Sequence, residues 1–338
     1  MASTLFRGHV YTVLPYPNPG TQSPSTAIYS VARIEGEKVI QVTMESVLED
    51  GCKAIWRSAL FAALLFGQTS PLAQGQEKEL ETPYVPPPQA VVNRMLELAE
   101  VKPGDTVIDL GSGNGSIMIT AAQQYGARGF GVELNPRLVQ SSNEEARRAG
   151  VAGRIRFLQQ DLLKTDFREA DVLTLYSLPG VNMALRPKIV AELKPGTRVV
   201  SHDHDMGVWR PDAEKTVPAP DKMLGANKET RVYLWIVPAK VEGAWEIEIK
   251  AGGKTRSLPF ALKQQYQMVS GSVTVPGNAA APILEGRLRG DEIRLVLPGG
   301  TVARDRVELV GRVTGDSVSG SVLRAGREIA TWSARRRS

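Results

Sequence analysis

Asp105-Thr106-Val107-Ile108-Asp109-Leu110-Gly111-Ser112-Gly113-Asn114-Gly115 decides the fold. Val107, Ile108 and Leu110 form a β-favouring apolar run, which predicts a buried strand feeding a turn with glycine at alternate positions. Ser116 to Gln124 predicts a helix, so the free amides of the turn and the positive helix end face one point. This is the strand–turn–helix unit of an α/β layer with a nucleotide-type site. Asp109 is the unusual member: a carboxylate at a strand end repels phosphate and suits hydroxyls or an amine. The dinucleotide fingerprint places its third glycine three residues after the second, whereas Gly113 and Gly115 are two apart. The spacing therefore argues against a pyrophosphate ligand, and with it against a nicotinamide enzyme.

Working outward, Ala127 to Val132 predicts a second strand ending at Glu133, 22 residues past Gly111. An acidic side chain at that offset can accept two hydrogen bonds from ribose hydroxyls. Leu138–Ala149 predicts an amphipathic helix and Arg154–Leu158 a third strand. Strand four is expected over Asp171–Tyr176, followed by a loop at Ser177-Leu178-Pro179-Gly180, a helix over Ala184–Leu193 and strand five at Arg198–Ser201. Strand five runs into His202-Asp203-His204-Asp205, where extended geometry would put the two His on one face and the two Asp on the other. A His-x-His pair with a carboxylate suits a metal, but no third ligand is evident and none is expected. A general base, a hydrogen-bonding anchor and a structural strand end stay open for this stretch. Val232–Val237 closes the sheet. Upstream, Val91, Val92, Met95, Leu96 and Ala99 give a helical face from Gln89, stopped by Lys102-Pro103-Gly104.

The 338 residues suffice for two domains, and 42% apolar with 23% charged residues is ordinary globular composition. The net charge of +5 is localised: from Val241 onward 15 Lys and Arg face 10 Asp and Glu, while the rest balances at 26 against 26. A basic tail of this kind reads as solvated surface, and no nucleic-acid partner is expected. Cys52 is the single cysteine, which excludes an internal disulfide and a thiolate zinc cluster.

Residues 1–43 read as a disordered or mis-assigned leader rich in Pro, Ser and Thr, with only Lys38–Val42 hinting at a strand. Residues 44–75 read as a signal-like or membrane-interface segment. Lys53 and Arg57 precede the apolar run Ala59–Phe66, and Ala73-Gln74-Gly75 offers small residues for cleavage. The run is too short to span a bilayer, which needs ~20 apolar residues. Export or membrane association through residues 53–67 is the expectation, with a cytoplasmic location as the alternative. Residues 76–88 read as a linker ending in Thr82-Pro83-Tyr84-Val85-Pro86-Pro87-Pro88, which cannot be helical.

From Ala244 the apolar period changes to two. Strands are expected at Trp245–Ile249, Ser257–Leu262, Gln267–Val275, Ile283–Arg289, Glu292–Leu297, Arg306–Val313, Ser317–Arg324 and Glu328–Ala334. Turns such as Gly290-Asp291 and Gly315-Asp316 separate several of them. This pattern predicts an antiparallel meander over 241–338, curled into a small barrel or sandwich and serving packing, dimerisation or substrate recruitment.

Asp109 with G-x-G-x-G resembles motif I of the class I S-adenosylmethionine-dependent methyltransferases. Pro83-Tyr84-Val85-Pro86 before Val91-Val92, the turn through Asn114 and Gly115, and Glu133-Leu134-Asn135-Pro136-x-Leu138-Val139 make the resemblance specific. Together they are similar to the ATP synthase c-subunit lysine N-methyltransferase family and its bacterial relatives. The likeness covers about Thr82 to Pro238. It implies a Rossmann-like seven-stranded methyltransferase sheet over 89–238, S-adenosylmethionine as cofactor and a protein lysine as acceptor. It also implies cofactor binding by Asp109, Gly111, Ser112, Gly113, Gly115, Glu133 and Asp161, the last toward the adenine amino group. In this architecture the loop after strand four meets the transferable methyl, and the Asn/Asp-Pro-Pro-Tyr tetrad of amide and exocyclic-amine methylases is absent there. Tyr84 on a strap over the sulfonium, Tyr176 and Asp203 are the candidate catalytic residues. The alternatives are a small-molecule methyltransferase, an aminopropyltransferase, or a non-catalytic module whose functional part is the β domain.

Overall fold

The computed structural model describes the strands within residues 3–42, and residues 85–220, 228–274, 279–299 and 305–337. Residues 1–80 and 81–338 are separate compact units. In the first, strands β1 (Ser3–Phe6), β2 (His9–Pro15), β3 (Tyr29–Glu35) and β4 (Lys38–Val42) form an antiparallel meander. The sequence reading expected only the last of these. The missed strands include Val10-Tyr11-Thr12-Val13 and Tyr29-Ser30-Val31, β-branched and aromatic runs that the surrounding Pro and Ser obscured. The signal-like run at 59–66 and Tyr84 lie outside the described residues. Among the described residues no helix is long and apolar enough to cross a membrane.

The second unit opens with helix α1 (Gln89–Leu98) and continues β5 (Thr106–Leu110), α2 (Ser116–Tyr125), β6 (Arg128–Glu133), α3 (Pro136–Arg148) and β7 (Ile155–Gln159). It goes on through β8 (Val172–Leu175), α4 (Pro179–Glu192), β9 (Arg198–His202), β10 (Ala213–Pro218) and β11 (Glu229–Ile236). The seven strands lie in the order β7-β6-β5-β8-β9-β11-β10. The first five are mutually parallel, and β11 and β10 are antiparallel additions. Every residue of β5 is buried, because helices cover both faces of a parallel sheet; this is why its sequence is an apolar run rather than an alternation.

Alternate strand residues feed two cores. Val107, Val172, Val200 and Val232 pack with Val91, Met95 and Met118 on the side of α1 and α2. Ile108, Leu173 and Val199 pack with Leu185, Ile189, Trp209 and Trp235 on the side of α4. Two expectations are corrected here. Pro179 begins α4 instead of lying in a loop, because a proline is tolerated in the first helical turn. Between Asp205 and Val232, where no strand is expected from the sequence, the chain forms β10, an edge strand whose exposed residues hid its period.

Beyond Pro238 the chain forms an all-antiparallel barrel from β12 (Gly243–Ala251), β13 (Lys254–Gln265), β14 (Met268–Val273), the two-residue β15 (Ala281–Pro282), β16 (Glu285–Arg289), β17 (Glu292–Pro298), β18 (Arg306–Thr314), β19 (Ser317–Arg324) and β20 (Arg327–Arg336). Strand β12 pairs with β20, Trp245 opposite Arg336, while β13 pairs with β14 and Met268 of β14 faces Arg287 of β16. The meander therefore closes into a barrel of eight principal strands. Trp245, Ile247, Phe260, Leu295, Leu309 and Trp332 fill its core.

Candidate functional site

The parallel register sets Asp109 beside Gly131 and Thr174, and the carboxyl ends of β5, β6, β8 and β9 converge. Ligands bind at this edge of open α/β sheets. Gly111, Gly113 and Gly115 all have left-handed φ, 85°, 52° and 78°. At Gly115 a Cβ would also lie 2.5 Å from the Phe157 ring, so the turn can take no side chain there. Gly131 is required for space alone: its Cβ would stand 2.6 Å from Ser112 Cβ and 2.8 Å from Phe157. Gly131→Ala is expected to push the turn outward, to lower stability by about 2 kcal/mol and to weaken nucleoside binding about tenfold. Thermal melts and titration with S-adenosylhomocysteine check both.

Asp109 is fully buried and Thr174 Oγ1 donates to its Oδ1 at 2.6 Å, while its Oδ2 has no partner. Burial pushes this carboxyl up to about 7; the Thr174 bond opposes the rise and the nearby Glu133 adds to it. Ser112 Oγ, also buried, is without a partner. The Glu133 carboxylate closes the turn from the other side, accepting from Gly113 N at 3.1 Å and Asn135 N at 2.9 Å. Ser142 anchors the turn by donating to Gly113 O. The result is an acceptor-rich pocket: a buried carboxylate oxygen lacking a donor suits an ammonium, and a carboxylate with spare lone pairs suits a diol. The residues therefore fit an adenosyl amino acid better than a phosphate ester.

Asp161 lies past the end of β7, where its Oδ1 accepts from Leu163 N at 2.9 Å and caps a short 3₁₀ turn. Its side chain is about one-third exposed beside Lys164. Tyr176, half-buried at the end of β8, stacks on His202 with ring centres 4.2 Å apart. Burial, with Asp203 adding, raises its phenol above the usual value. Asp203 has a left-handed φ of 56°, so the expected alternation through His202-Asp203-His204-Asp205 ends at His202. Asp203 Oδ1 accepts from the Thr230 hydroxyl at 2.5 Å and from Arg231 N at 3.1 Å. The same hydroxyl meets His202 Nε2 at 2.5 Å, and since it spends its one proton on Asp203, Nε2 is the donor to it.

Thus the three glycines and Ser112 form one turn between Asp109 at the end of β5 and Glu133 at the end of β6, with Tyr176 and Asp203 at the neighbouring strand ends. Thr174, Thr230 and Asn182 were missed as site residues, whereas His202 belongs to the stretch for which a general base, a hydrogen-bonding anchor and a structural strand end stayed open. Thr174 carried a signal, a hydroxyl in an apolar strand; the others are recognisable only from pairing. Asn182, fully buried in α4, accepts from Ser177 Oγ at 2.8 Å and donates to Ser201 Oγ and to the His204 carbonyl. Among the described residues no group of three His, Cys, Asp or Glu side chains could hold a metal ion.

Residues 109–213 match the ANTKMT methyltransferase domain. The protein-lysine N-methyltransferase of Saccharolobus islandicus (strain REY15A) is 40% identical over 156 residues, 46% of this chain and 93% of that protein. The adenine nucleotide translocase lysine N-methyltransferase of Mus musculus is 38% identical over 135 residues, 40% of this chain and 58% of that protein. An RNA methyltransferase from Salinibacter ruber, solved in complex with S-adenosyl-L-homocysteine, is 48% identical; the match covers 46% of this chain and 96% of that one, with a TM-score of 0.42. With nearly the whole of the archaeal relative matched at this identity, the chain belongs to the protein-lysine N-methyltransferase family.

Proposed function

We propose that this protein transfers a methyl group from S-adenosylmethionine to the side-chain amine of a lysine in another protein. The observation that carries the reading is the pair of strand-end carboxylates around the glycine turn. Asp109 would take the α-ammonium of the cofactor on Oδ2, Glu133 the ribose hydroxyls, and the amides of Gly111 to Gly115 would face its methionyl part. Asp161, whose Oδ2 lies 3.7 Å from Lys164 Nζ, would offer that oxygen to the adenine amino group. When bound, the cofactor supplies an electrophilic methyl on a sulfonium. What is left for the chain is alignment, exclusion of water and an unprotonated acceptor amine.

A lysine amine has a reference pKa of ~10.4 and must lose its proton before it attacks. Tyr176, whose phenol is raised, keeps its own proton at neutral pH and would orient the amine by hydrogen bonding, not act as a phenolate base. Asp203 adds negative charge beside it and would draw the ammonium in. The protein-lysine acceptor is supported by the activities of the archaeal and murine relatives. The test is transfer of labelled methyl from S-adenosylmethionine into fractionated membranes and cytosol, followed by identification of the modified residue. Methyl-lysine in a protein is the expected product; label found only in RNA or in small molecules would overturn the acceptor assignment.

A further inference from the structure

The hairpin joining β13 to β14 turns in two residues, Tyr266 and Gln267, between the pair Gln265 and Met268. Tight turns of this kind favour Gly, Asn or Asp, yet Tyr266 carries a left-handed φ of 54°. A bulky residue in that region is uncommon and costly, and it persists where surrounding contacts hold it. Both turn side chains leave the barrel and enter the cofactor domain. The Tyr266 ring stacks on Trp209 with centres 5.5 Å apart and planes 8° from parallel, and Arg186 lies over it at 5.9 Å. Gln267, buried, donates from Nε2 to the Arg210 carbonyl at 2.7 Å. Arg287 of β16 adds an ion pair with Asp212 at 2.8 Å.

All of these contacts fall on residues 206–212 or on the helix beside them. That segment begins in the site at Asp203. Arg186 donates to the Met206 carbonyl at 2.7 Å, and the His204 carbonyl accepts from Asn182 and Ser201. Asn182 in turn holds Ser177, the residue after Tyr176. A continuous series of contacts thus runs from the barrel turn to the acceptor side of the site and leaves the glycine turn untouched. The structure assigns Tyr266 and Gln267 as positioning residues for methyl transfer, and the barrel as the part that holds the 203–212 segment in its working conformation. This rests on the methyltransferase reading above.

The deciding variant replaces the turn with the residues its geometry favours, glycine at the one position of left-handed φ and a small polar residue after it, Tyr266→Gly together with Gln267→Ser, in the full chain. It relieves the turn strain, so the barrel hairpin is expected to form, and melting curves set a temperature at which wild type and variant are both fully folded. At that temperature and with saturating S-adenosylmethionine, the rate of labelled methyl incorporation into total cell protein is expected to fall at least tenfold. Affinity for S-adenosylhomocysteine should stay within about twofold, and Tyr266→Phe, which keeps the stacked ring, should retain the wild-type rate. Hydrogen exchange, which requires no catalysis, should quicken at least tenfold across residues 203–212. Unchanged incorporation by the turn variant, or loss of cofactor affinity in step with rate, overturns the assignment. If wild type transfers no methyl, the functional reading fails, and the exchange measurement alone decides the brace: faster exchange supports it and unchanged exchange overturns it.

Discussion

Asp109→Asn is expected to weaken S-adenosylhomocysteine binding at least about 100-fold while making the free protein more stable above neutral pH. The substitution keeps the acceptor that Thr174 uses, removes the charge and puts an NH₂ donor where Oδ2 would accept from the ammonium. A buried charge that loses its partner is worth about 3 kcal/mol or more, which is the basis of the 100-fold figure. The stability gain follows from the sign of the shift. The folded carboxyl titrates near 7 and the unfolded one near 3.8, so between those values the folded state holds a proton that the unfolded state has lost. Stability contributed by the protonated form is therefore present at low pH and lost as pH rises from about 4 to about 7.

A neutral amide does not suffer that loss. Binding has the opposite dependence: the ammonium of the ligand needs the carboxylate, so wild-type affinity should fall about tenfold per pH unit below 7, with a proton released on binding. The variant should show a flat profile. Calorimetry in buffers of different ionisation enthalpy, with melts at pH 5 and pH 8, measures each of these quantities. Full affinity in the Asn variant would remove the basis for the cofactor assignment.

Glu133→Gln is expected to cost about 10- to 100-fold in affinity for the same ligand, by a different route. The wild-type carboxylate is acceptor-only and receives two backbone amides, from Gly113 and Asn135, with lone pairs left for a diol. A glutamine must turn its NH₂ toward one of those three donors, so either the turn or the ribose loses an acceptor. The two carboxylates are also coupled, since Glu133 raises the Asp109 carboxyl. The Glu133→Gln protein should therefore lose affinity at a lower pH than wild type as the solution is acidified. A double-mutant cycle with Asp109→Asn should be non-additive. Affinity within twofold of wild type, with no change in the pH midpoint, would show that Glu133 does not face the ribose.

Much of this site could be read from single residues because the chemistry is local. The glycine turn, the strand feeding it and Asp109 are contiguous in the chain, and Glu133 follows at a fixed offset, at the end of the next strand. Asp109, Gly111, Gly113 and Gly115 carry their own conformational and charge requirements, and the barrel strands showed themselves through period two and glycine turns. Strand β10 stayed hidden because an exposed edge strand has no apolar stripe, and the start of α4 because proline reads equally as loop or as first helical turn.

What the sequence determined by itself, then, was the α/β alternation, the glycine turn with the strand that feeds it, and an acidic residue at each of two strand ends. The tertiary structure alone decided which side chains meet at the neighbouring strand ends. Thr174 meets Asp109 across a strand pair, Thr230 joins His202 to Asp203 from a strand 28 residues further on, and Tyr266 reaches Trp209 from another fold layer. Those partners are set by sheet register and by domain docking, which depend on many weak contacts summed over the whole unit. No local pattern of residue types encodes them.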